Sequence, residues 1–229
     1  MEILSYDILE TKEAVLADND AVAAQTRDFL SGKNTFLINL MSSPGSGKTT
    51  TLLRTIDMLK DKYRIGVIEA DVDSDVDASS VAAKGVKVIQ VHTGGSCHMD
   101  ASMTREGLDG LGIDDLDLVF LENVGNLVCP AEFDVGANLR VMILSVPEGD
   151  DKPLKYPLMF SVSDLMLINK IDVASIFDFD YDACVKRAKK LNPDIEVIRI
   201  SSLTGDGFDD WIRWLIDKVD SWRHKNASN

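Results

Sequence analysis

The sequence predicts a three-layer α/β fold in which a mostly parallel, seven-stranded sheet carries helices on both faces. Short apolar runs alternate with stretches of helical spacing, a pattern typical of strand–helix–strand units with parallel strands. The chain has 229 residues, enough for one large domain with a core on each face of the sheet. The seven predicted strands are residues 36–41, 65–68, 86–91, 116–121, 141–146, 165–168 and 195–200.

The predicted domain occupies residues 34–223 and is flanked by two shorter segments. Residues 1–33 form a predicted helical extension, because their apolar residues recur at helical spacing: Ala14, Val15, Ala21, Val22, Ala24 and Leu30. Residues 224–229 form a predicted polar tail that frays. The last helix carries an apolar stripe that we expect to pack on the sheet rather than on a partner: Phe208, Trp211, Ile212, Leu215, Ile216, Val219 and Trp222.

The composition of the chain indicates which partners it does not bind and in which compartment it is found. The formal net charge of −14 argues against nucleic acid and anionic membrane as partners, since affinity for phosphate backbones comes from lysine and arginine. Three cysteines without a disulfide-like spacing predict free thiols in a reducing compartment. The N-terminus has no basic region, and no apolar run reaches the ~20 residues that span a bilayer. The chain is therefore expected in the cytoplasm.

A phosphate-binding loop follows the first predicted strand. Its glycines let backbone N–H groups curl around phosphate oxygens, Lys48 supplies a cation, and the Thr49 hydroxyl can bind Mg²⁺. The usual pattern has glycine at position 42, where this chain has Ser42, but the strand before the loop and the helix after it support the interpretation. The predicted nucleotide-binding residues of this loop are Gly45, Ser46, Gly47, Lys48, Thr49 and Thr50.

A guanine-reading pattern lies at the end of the sixth predicted strand. Asp172 can accept hydrogen bonds from the N1–H and the exocyclic amine of guanine, whereas adenine presents a mismatched edge. Asn169 is expected to brace loops, and Lys170 to cover the base. Ser201 and Ser202 follow the next strand, where GTPases keep a base-contacting loop, although two plain loop serines fit nearly as well.

Carboxylates at the ends of two other strands are candidates for Mg²⁺. Asp71 lies in an acidic run that lacks the glycine and glutamate of a calcium loop, so we expect it to face Mg²⁺ and the attacking water. Glu122 ends the fourth strand, where related folds place an aspartate that holds the metal's water shell, although it could simply cap its loop. The predicted catalytic residues are Lys48, Asp71 and Glu122, and the predicted magnesium residues are Thr49, Asp71 and Glu122.

A second metal site is predicted from Cys97, His98 and Cys129, in two loops that should open at the same edge of the sheet. Thiolates and imidazole suit Zn²⁺ or Ni²⁺ better than Mg²⁺. Three ligands leave a tetrahedral or square-planar site one donor short, and water or a second copy of the chain could supply the fourth. Without further information a packed cysteine explains these residues equally well.

Four segments together resemble the HypB family, the nickel-inserting hydrogenase maturation GTPases within the SIMIBI class of P-loop proteins. The segments are residues 42–49, 93–98, 122–130 and 148–157. The resemblance covers about residues 35–220, is most specific over residues 121–130, and includes the serine at position 42. It implies a P-loop domain and a cytoplasmic GTPase that dimerises on GTP and works with a HypA-type nickel metallochaperone on the [NiFe]-hydrogenase large subunit. It also implies that Cys97, His98 and Cys129 are ligands for Ni²⁺ or Zn²⁺ at the dimer interface.

The chain departs from the family pattern in several places. Residues 1–34 contain no cysteine or histidine, which predicts modest nickel affinity, and Ala70 replaces the glycine that usually precedes the switch aspartate. Cys129 is followed by Pro130 and Ala131 rather than by the Cys-Pro-His of urease-maturation GTPases, which favours hydrogenase over urease. Ser43 stands where dimerising ATPases of this class have a lysine, so their mechanism does not transfer.

Three other functions remain open at this stage. They are a urease-type nickel GTPase, a small-molecule or nucleotide kinase that uses the same phosphate loop, and a metal carrier without enzymatic activity. A kinase would gain nothing from residues 169–172, and a carrier would keep its metal ligands active after loss of Lys48. The roles of Cys184, expected to be packed in a helix, and of His224 in the tail are not assigned.

Overall fold

A computed structural model describes residues 11–71 and 76–228. The strands are β1 Phe36–Ser42, β2 Ile65–Asp71, β3 Lys87–His92, β4 Leu118–Glu122, β5 Leu139–Ser145, β6 Leu165–Asn169 and β7 Glu196–Arg199. The helices are α1 Thr11–Lys33, α2 Lys48–Leu59, α3 Val76–Ala82, α4 Ala101–Leu111, α5 Cys129–Glu132, α6 Lys152–Lys155, α7 Pro157–Val162, α8 Tyr181–Leu191 and α9 Phe208–Asn226. Short 3₁₀ helices cover Ile113–Asp115, Val146–Glu148 and Ile171–Ile176.

The strands form one seven-stranded sheet in the order β3-β2-β4-β1-β5-β6-β7. Each neighbouring pair runs parallel, so the sheet is entirely rather than mostly parallel. The carboxyl ends of all strands therefore meet at one edge, where parallel α/β sheets bind their ligands. β1 lies at the centre and delivers the phosphate loop to the middle of that edge.

Apolar cores on both faces confirm the predicted three-layer arrangement. On one face, alternate residues of the central strands pack against α2, α3 and α9, with Trp211 fully buried. The opposite face is covered by α1 and α4 at one side and by α7 and α8 at the other, through side chains such as Leu30 and Phe160. Central strands buried on both faces appear in the sequence as continuous apolar runs, so their boundaries could be predicted to within about three residues.

The two terminal helices differ from the predicted boundaries. α9 continues through Asn226 into the predicted polar tail, because the Asn226 side chain donates from Nδ2 to the Ser31 carbonyl at 2.8 Å. α1 covers part of the predicted extension and buries Ala23 and Leu30, and residues 1–10 lie outside the described residues. Within residues 11–71 and 76–228, no helix is long and apolar enough to cross a bilayer.

Asp117 joins three elements at the amino edge of the sheet. Its carboxylate accepts hydrogen bonds from the Arg64 backbone N–H at 2.9 Å and from Arg64 Nε at 3.0 Å, and Arg223 Nη2 of α9 lies 3.0 Å away. β4 begins at Leu118, two residues after the start of the predicted strand. Hydrogen bonds from Arg64 lower the pKa of Asp117 to about 2.

We predict that Asp117→Asn lowers the free energy of unfolding by about 1–2 kcal/mol at neutral pH. A folded-state pKa below the unfolded value of about 3.9 stabilises the fold above that value, and the stabilisation disappears as pH falls towards 2. Urea unfolding of both proteins should therefore show a difference at about pH 7 that shrinks at about pH 2.5. A difference of the same size at both pH values would contradict this charge-based account.

Candidate nucleotide and metal site

The phosphate loop has the backbone geometry that the sequence predicts. Gly45 and Gly47 have positive φ angles of 75° and 94°, which side-chain-bearing residues rarely adopt, and α2 begins at Lys48 directly after them. The loop therefore turns its N–H groups towards the start of α2, where the helix dipole favours an anion. This is the geometry of an anion-binding loop.

The loop predicted to read guanine braces the phosphate loop. Asn169 donates from Nδ2 to the Ser46 carbonyl at 2.8 Å, and Lys170 donates from Nζ to the Gly45 carbonyl at 2.6 Å. A Cβ atom at Gly47 would lie 2.5 Å from Asn169 Nδ2, so this glycine is required by packing as well as by φ. Lys170 itself has a positive φ of 62°, a strained turn for a residue with a side chain.

The serine loop after β7 completes this network. The buried Ser202 donates from its backbone N–H and from Oγ to Asn169 Oδ1, both at 3.0 Å, and Ser201 Oγ donates to Asp172 Oδ1 at 2.5 Å. Ser202 Oγ also lies 2.7 Å from Thr51 Oγ1 of α2. The structure thus brings together all predicted base-side residues, and the exposed Asp172 keeps a carboxylate at the surface of the network.

Glu122 lies at the phosphate end of the site. Its Oε1 atom accepts hydrogen bonds from Lys48 Nζ at 3.0 Å and from Thr49 Oγ1 at 2.7 Å. The side chain is almost fully buried, and its Oε2 atom has no hydrogen-bond partner among the described residues. A buried carboxylate oxygen without a partner costs free energy unless a cation or water satisfies it. Glu122 with Thr49 therefore fits a Mg²⁺ site.

A cavity of about 660 Å³ opens at this edge and is lined by the phosphate loop, Glu122 and Lys170. Glu69 also lines it, although the sequence did not single this residue out. Glu69 is buried and is the register partner of Glu122 on the neighbouring strand, so two carboxylates lie side by side. The sequence alone does not reveal this pair, because it depends on the parallel register between β2 and β4. Asp71 ends β2, but its side chain lies outside the described residues.

Glu148 is a second residue that the sequence did not assign. It accepts a hydrogen bond from Ser43 Oγ in the phosphate loop, and its Oε2 atom accepts from the Ser145 backbone N–H at 2.7 Å and from Ser145 Oγ at 2.8 Å. The Ser145 and Glu148 pair is a capping box at the end of β5. Glu148 therefore caps the turn after β5, and its contact with Ser43 holds the start of the phosphate loop.

Cys97, His98 and Cys129 converge as predicted, and their donor atoms all lie within 4.8 Å of one another. Cys97 Sγ is 2.9 Å from Cys129 Sγ and 3.9 Å from His98 Nδ1. The His98 ring stacks on Phe133 with centroids 3.9 Å apart. This soft sulfur and nitrogen donor set suits Ni²⁺ or Zn²⁺, and it is the one such cluster in residues 11–71 and 76–228.

The protonation of this cluster suits a metal ion. Burial lowers the pKa of His98, which favours the neutral imidazole that binds metals. The hydrogen bond with Cys97, together with burial, raises the pKa of the Cys129 thiol. Without a metal ion the thiol proton is retained, so binding must displace it. Cys184, by contrast, is fully buried in α8, as expected, and burial raises its pKa to about 12.

The loop from Glu122 to Cys129 connects the cavity with the thiol cluster. Within it, the buried Asn123 accepts a hydrogen bond at Oδ1 from the Met99 backbone N–H at 3.1 Å, and Asn126 Nδ2 donates to the Cys97 carbonyl at 3.2 Å. A Cβ atom at Gly125 would lie 3.1 Å from Pro44 of the phosphate loop. The same loop therefore touches both sites along its length.

Comparison with known proteins agrees with this geometry. The family description "CobW/HypB/UreG, nucleotide-binding domain" matches residues 36–199. The chain belongs to the CobW/HypB/UreG family. It is 49% identical over 210 residues to the hydrogenase maturation factor HypB of Azotobacter vinelandii, covering 91% of this chain and 69% of that protein. These matches confirm the resemblance to HypB, and the chain belongs to this group of hydrogenase maturation factors.

Two solved HypB structures share the fold. HypB from Helicobacter pylori, determined in complex with nickel, is 38% identical with a TM-score of 0.85 over 89% of this chain and 96% of that chain. HypB from Archaeoglobus fulgidus is 39% identical with a TM-score of 0.83 over 89% of this chain and 100% of that chain. The predicted α/β sandwich of a P-loop nucleotide-binding protein is therefore confirmed.

We predict that Ni²⁺ protects two of the three thiols from a thiol-specific reagent at about pH 7.5. Cys97 is exposed and Cys129 half-buried, so both should react faster than the buried Cys184, which should react slowly with or without metal. Peptide mapping after labelling identifies the protected residues.

Cys184→Ala is the matched control and should leave the labelling of Cys97 and Cys129, and its protection by Ni²⁺, unchanged. Cys97→Ser should remove the protection of Cys129, because it deletes one of the clustered donors. Labelling of Cys129 at the same rate with and without saturating Ni²⁺ would exclude it as a ligand.

Proposed function

We propose that the chain is a GTP-hydrolysing metallochaperone that assists nickel insertion into the [NiFe]-hydrogenase large subunit. The observation that carries this proposal is the loop from Glu122 to Cys129, which begins beside Lys48 of the phosphate loop and ends at a nickel-type donor set. The HypB relatives named as hydrogenase maturation factors, and the HypB structure in complex with nickel, support it.

Guanine selectivity is proposed to come from Asp172. Its carboxylate can accept from both the N1–H and the exocyclic amine of guanine, and Ser201 holds one of its oxygens in place. A site that leaves such polar groups unpaired can reject the wrong base by about 10⁴ or more. Asn169 and Lys170 tie the base side to the phosphate loop, so base and phosphate recognition form one unit.

Hydrolysis is proposed to follow attack of water on the γ-phosphorus, with cleavage of the bond to the β–γ bridging oxygen and release of GDP. Lys48 stabilises charge on the γ-phosphate, and Thr49, Asp71 and Glu122 would hold Mg²⁺, which neutralises phosphate charge when bound. No arginine finger was predicted from the sequence, so we expect turnover on the order of 10⁻⁴ to 10⁻² per second.

Nickel is the proposed cargo, with Cys97, His98 and Cys129 as ligands. Three donors from one chain leave room for a fourth, and a second copy of the chain across a two-fold axis could provide it. We therefore propose a GTP-dependent homodimer with the metal between its subunits. Zn²⁺ could occupy the same donors, and a HypA-type metallochaperone is the proposed nickel partner. Free thiols at this site fit the reducing cytoplasm.

The nucleotide specificity can be tested with two variants. Wild-type protein should hydrolyse GTP but not ATP, and Lys48→Ala should lose hydrolysis at least about 100-fold, because the terminal phosphates lose their cation. Asp172→Asn should raise KM for GTP at least about 10-fold and accept xanthosine triphosphate, which carries a carbonyl oxygen where guanine carries its amine. The rate of phosphate release at saturating Mg²⁺ is measured for the wild-type protein, Lys48→Ala and Asp172→Asn.

Nickel protection of Cys97 and Cys129 is the folding control, since neither substitution lies in the thiol cluster. Equal use of ATP and GTP by the wild-type protein would contradict the guanine assignment. Unchanged hydrolysis by a folded Lys48→Ala protein would contradict the placement of the triphosphate.

A further inference from the structure

Asn19 of α1 joins two loops that are far from it in sequence. Its Nδ2 atom donates to the Asp134 carbonyl at 2.9 Å, and its Oδ1 atom accepts from the Ala101 backbone N–H at 2.9 Å. The side chain is largely buried, so both of its polar atoms are used inside the protein. One amide therefore holds two backbone segments at a fixed separation.

These two segments carry the candidate metal ligands. Ala101 begins α4, three residues after His98, and Asp134 lies five residues after Cys129. One hydrogen bond of Asn19 thus holds the loop of Cys97 and His98, and the other holds the loop of Cys129. The span of a single carboxamide sets the distance between the loops.

Other contacts fix the Asp134 segment on α1. Asp134 accepts a hydrogen bond from Arg27 Nη1 at 2.9 Å and lies 3.0 Å from Arg140 Nη2. Gly136 has a φ of 77°, and a Cβ atom there would lie 2.8 Å from the Ala23 carbonyl of α1. The backbone of this segment therefore packs directly against α1, and the hydrogen bond from Asn19 to Asp134 is part of this close contact.

The same segment supports the imidazole ligand. Phe133 precedes Asp134 and stacks on the His98 ring with an interplanar angle of 26°. A displacement of the Asp134 segment would move Phe133 and with it the ring of His98. Support of a ligand by groups behind it commonly changes metal affinity by about 10–100-fold.

We propose that Asn19 is a positioning residue for the nickel site, and that α1 is the frame on which the two ligand loops are held in register. This inference rests on the proposed function, since it takes Cys97, His98 and Cys129 as the nickel ligands. Asn19 lies outside residues 36–199, the part matched by the nucleotide-binding family description, so the metal site depends on a helix beyond that domain.

The test is a Ni²⁺ titration of the full chain, followed by the absorption of the nickel–thiolate bond and by competition with a chelator of known affinity. Asn19→Ala should weaken Ni²⁺ binding by about 10–100-fold and leave the affinity for a GTP analogue unchanged. Asn19→Asp keeps an acceptor for Ala101 but places a second acceptor against the Asp134 carbonyl, so it should not restore the nickel affinity lost in Asn19→Ala. Arg27→Gln should weaken binding in the same direction if Asn19→Ala does not fold.

Asn226→Ala is the matched control, because it removes an amide hydrogen bond to α1 at Ser31, near the end of the helix away from the ligand loops. It should leave Ni²⁺ affinity unchanged. Wild-type Ni²⁺ affinity in Asn19→Ala, beside a weakened Cys97→Ser protein, would overturn the inference while the proposed function stands. Equal losses of nickel and nucleotide binding in Asn19→Ala would also overturn it, since the role would then be general stability. A wild-type protein that binds no Ni²⁺ through Cys97 and Cys129 would overturn the proposed function itself.

Discussion

Glu122 places a buried carboxylate at the carboxyl edge of the sheet, where Lys48 and Thr49 both donate to its Oε1 atom. The position is a consequence of parallel pairing, because β4 lies between β1 and β2 and its last residue faces the start of the phosphate loop. Burying a charge is costly unless a cation and hydrogen bonds compensate it. Lys48 compensates the charge of Glu122 in this structure. The Oε2 atom of Glu122 has no hydrogen-bond partner among the described residues and could bind a metal ion. The loop beyond Glu122 therefore begins at a group that a bound nucleotide and metal ion would contact.

The loop after Glu122 connects this group with the thiol cluster. Asn123 and Asn126 bond it to the segment that carries Cys97 and His98, and Gly125 lies against Pro44 of the phosphate loop. Ordering of Glu122 by the γ-phosphate would thus shift groups that contact both ligand loops. Asn19 of α1 is hydrogen-bonded to the segments that follow the same two ligand loops.

The features best predicted from the sequence are those that depend on a few neighbouring residues along the chain. Glycines with positive φ, apolar strands buried on both faces, and Asn169 with Asp172 at a strand end all have short-range signatures. Contacts between segments that are distant in sequence have no such short-range signature. Asn19 was one polar residue on a helix, and its partners lie 82 and 115 residues away. The pairing of Glu69 with Glu122 depends on strand order, and the extension of α9 depends on a bond from Asn226 to α1. Such features follow only from the assembled fold.

We propose that the binding of nucleotide and the binding of nickel are coupled through the loop from Glu122 to Cys129. Coupling between two sites is reciprocal, so Ni²⁺ must change the affinity for GTP by the factor with which GTP changes the affinity for Ni²⁺. The most direct measurement is the dissociation constant of a non-hydrolysable GTP analogue with Mg²⁺, at constant protein concentration, with and without saturating Ni²⁺. We expect this dissociation constant to change by about 5-fold or more, and Cys129→Ser to abolish the change. The same dissociation constant in both conditions, in protein whose Cys97 and Cys129 are protected by Ni²⁺, would contradict it.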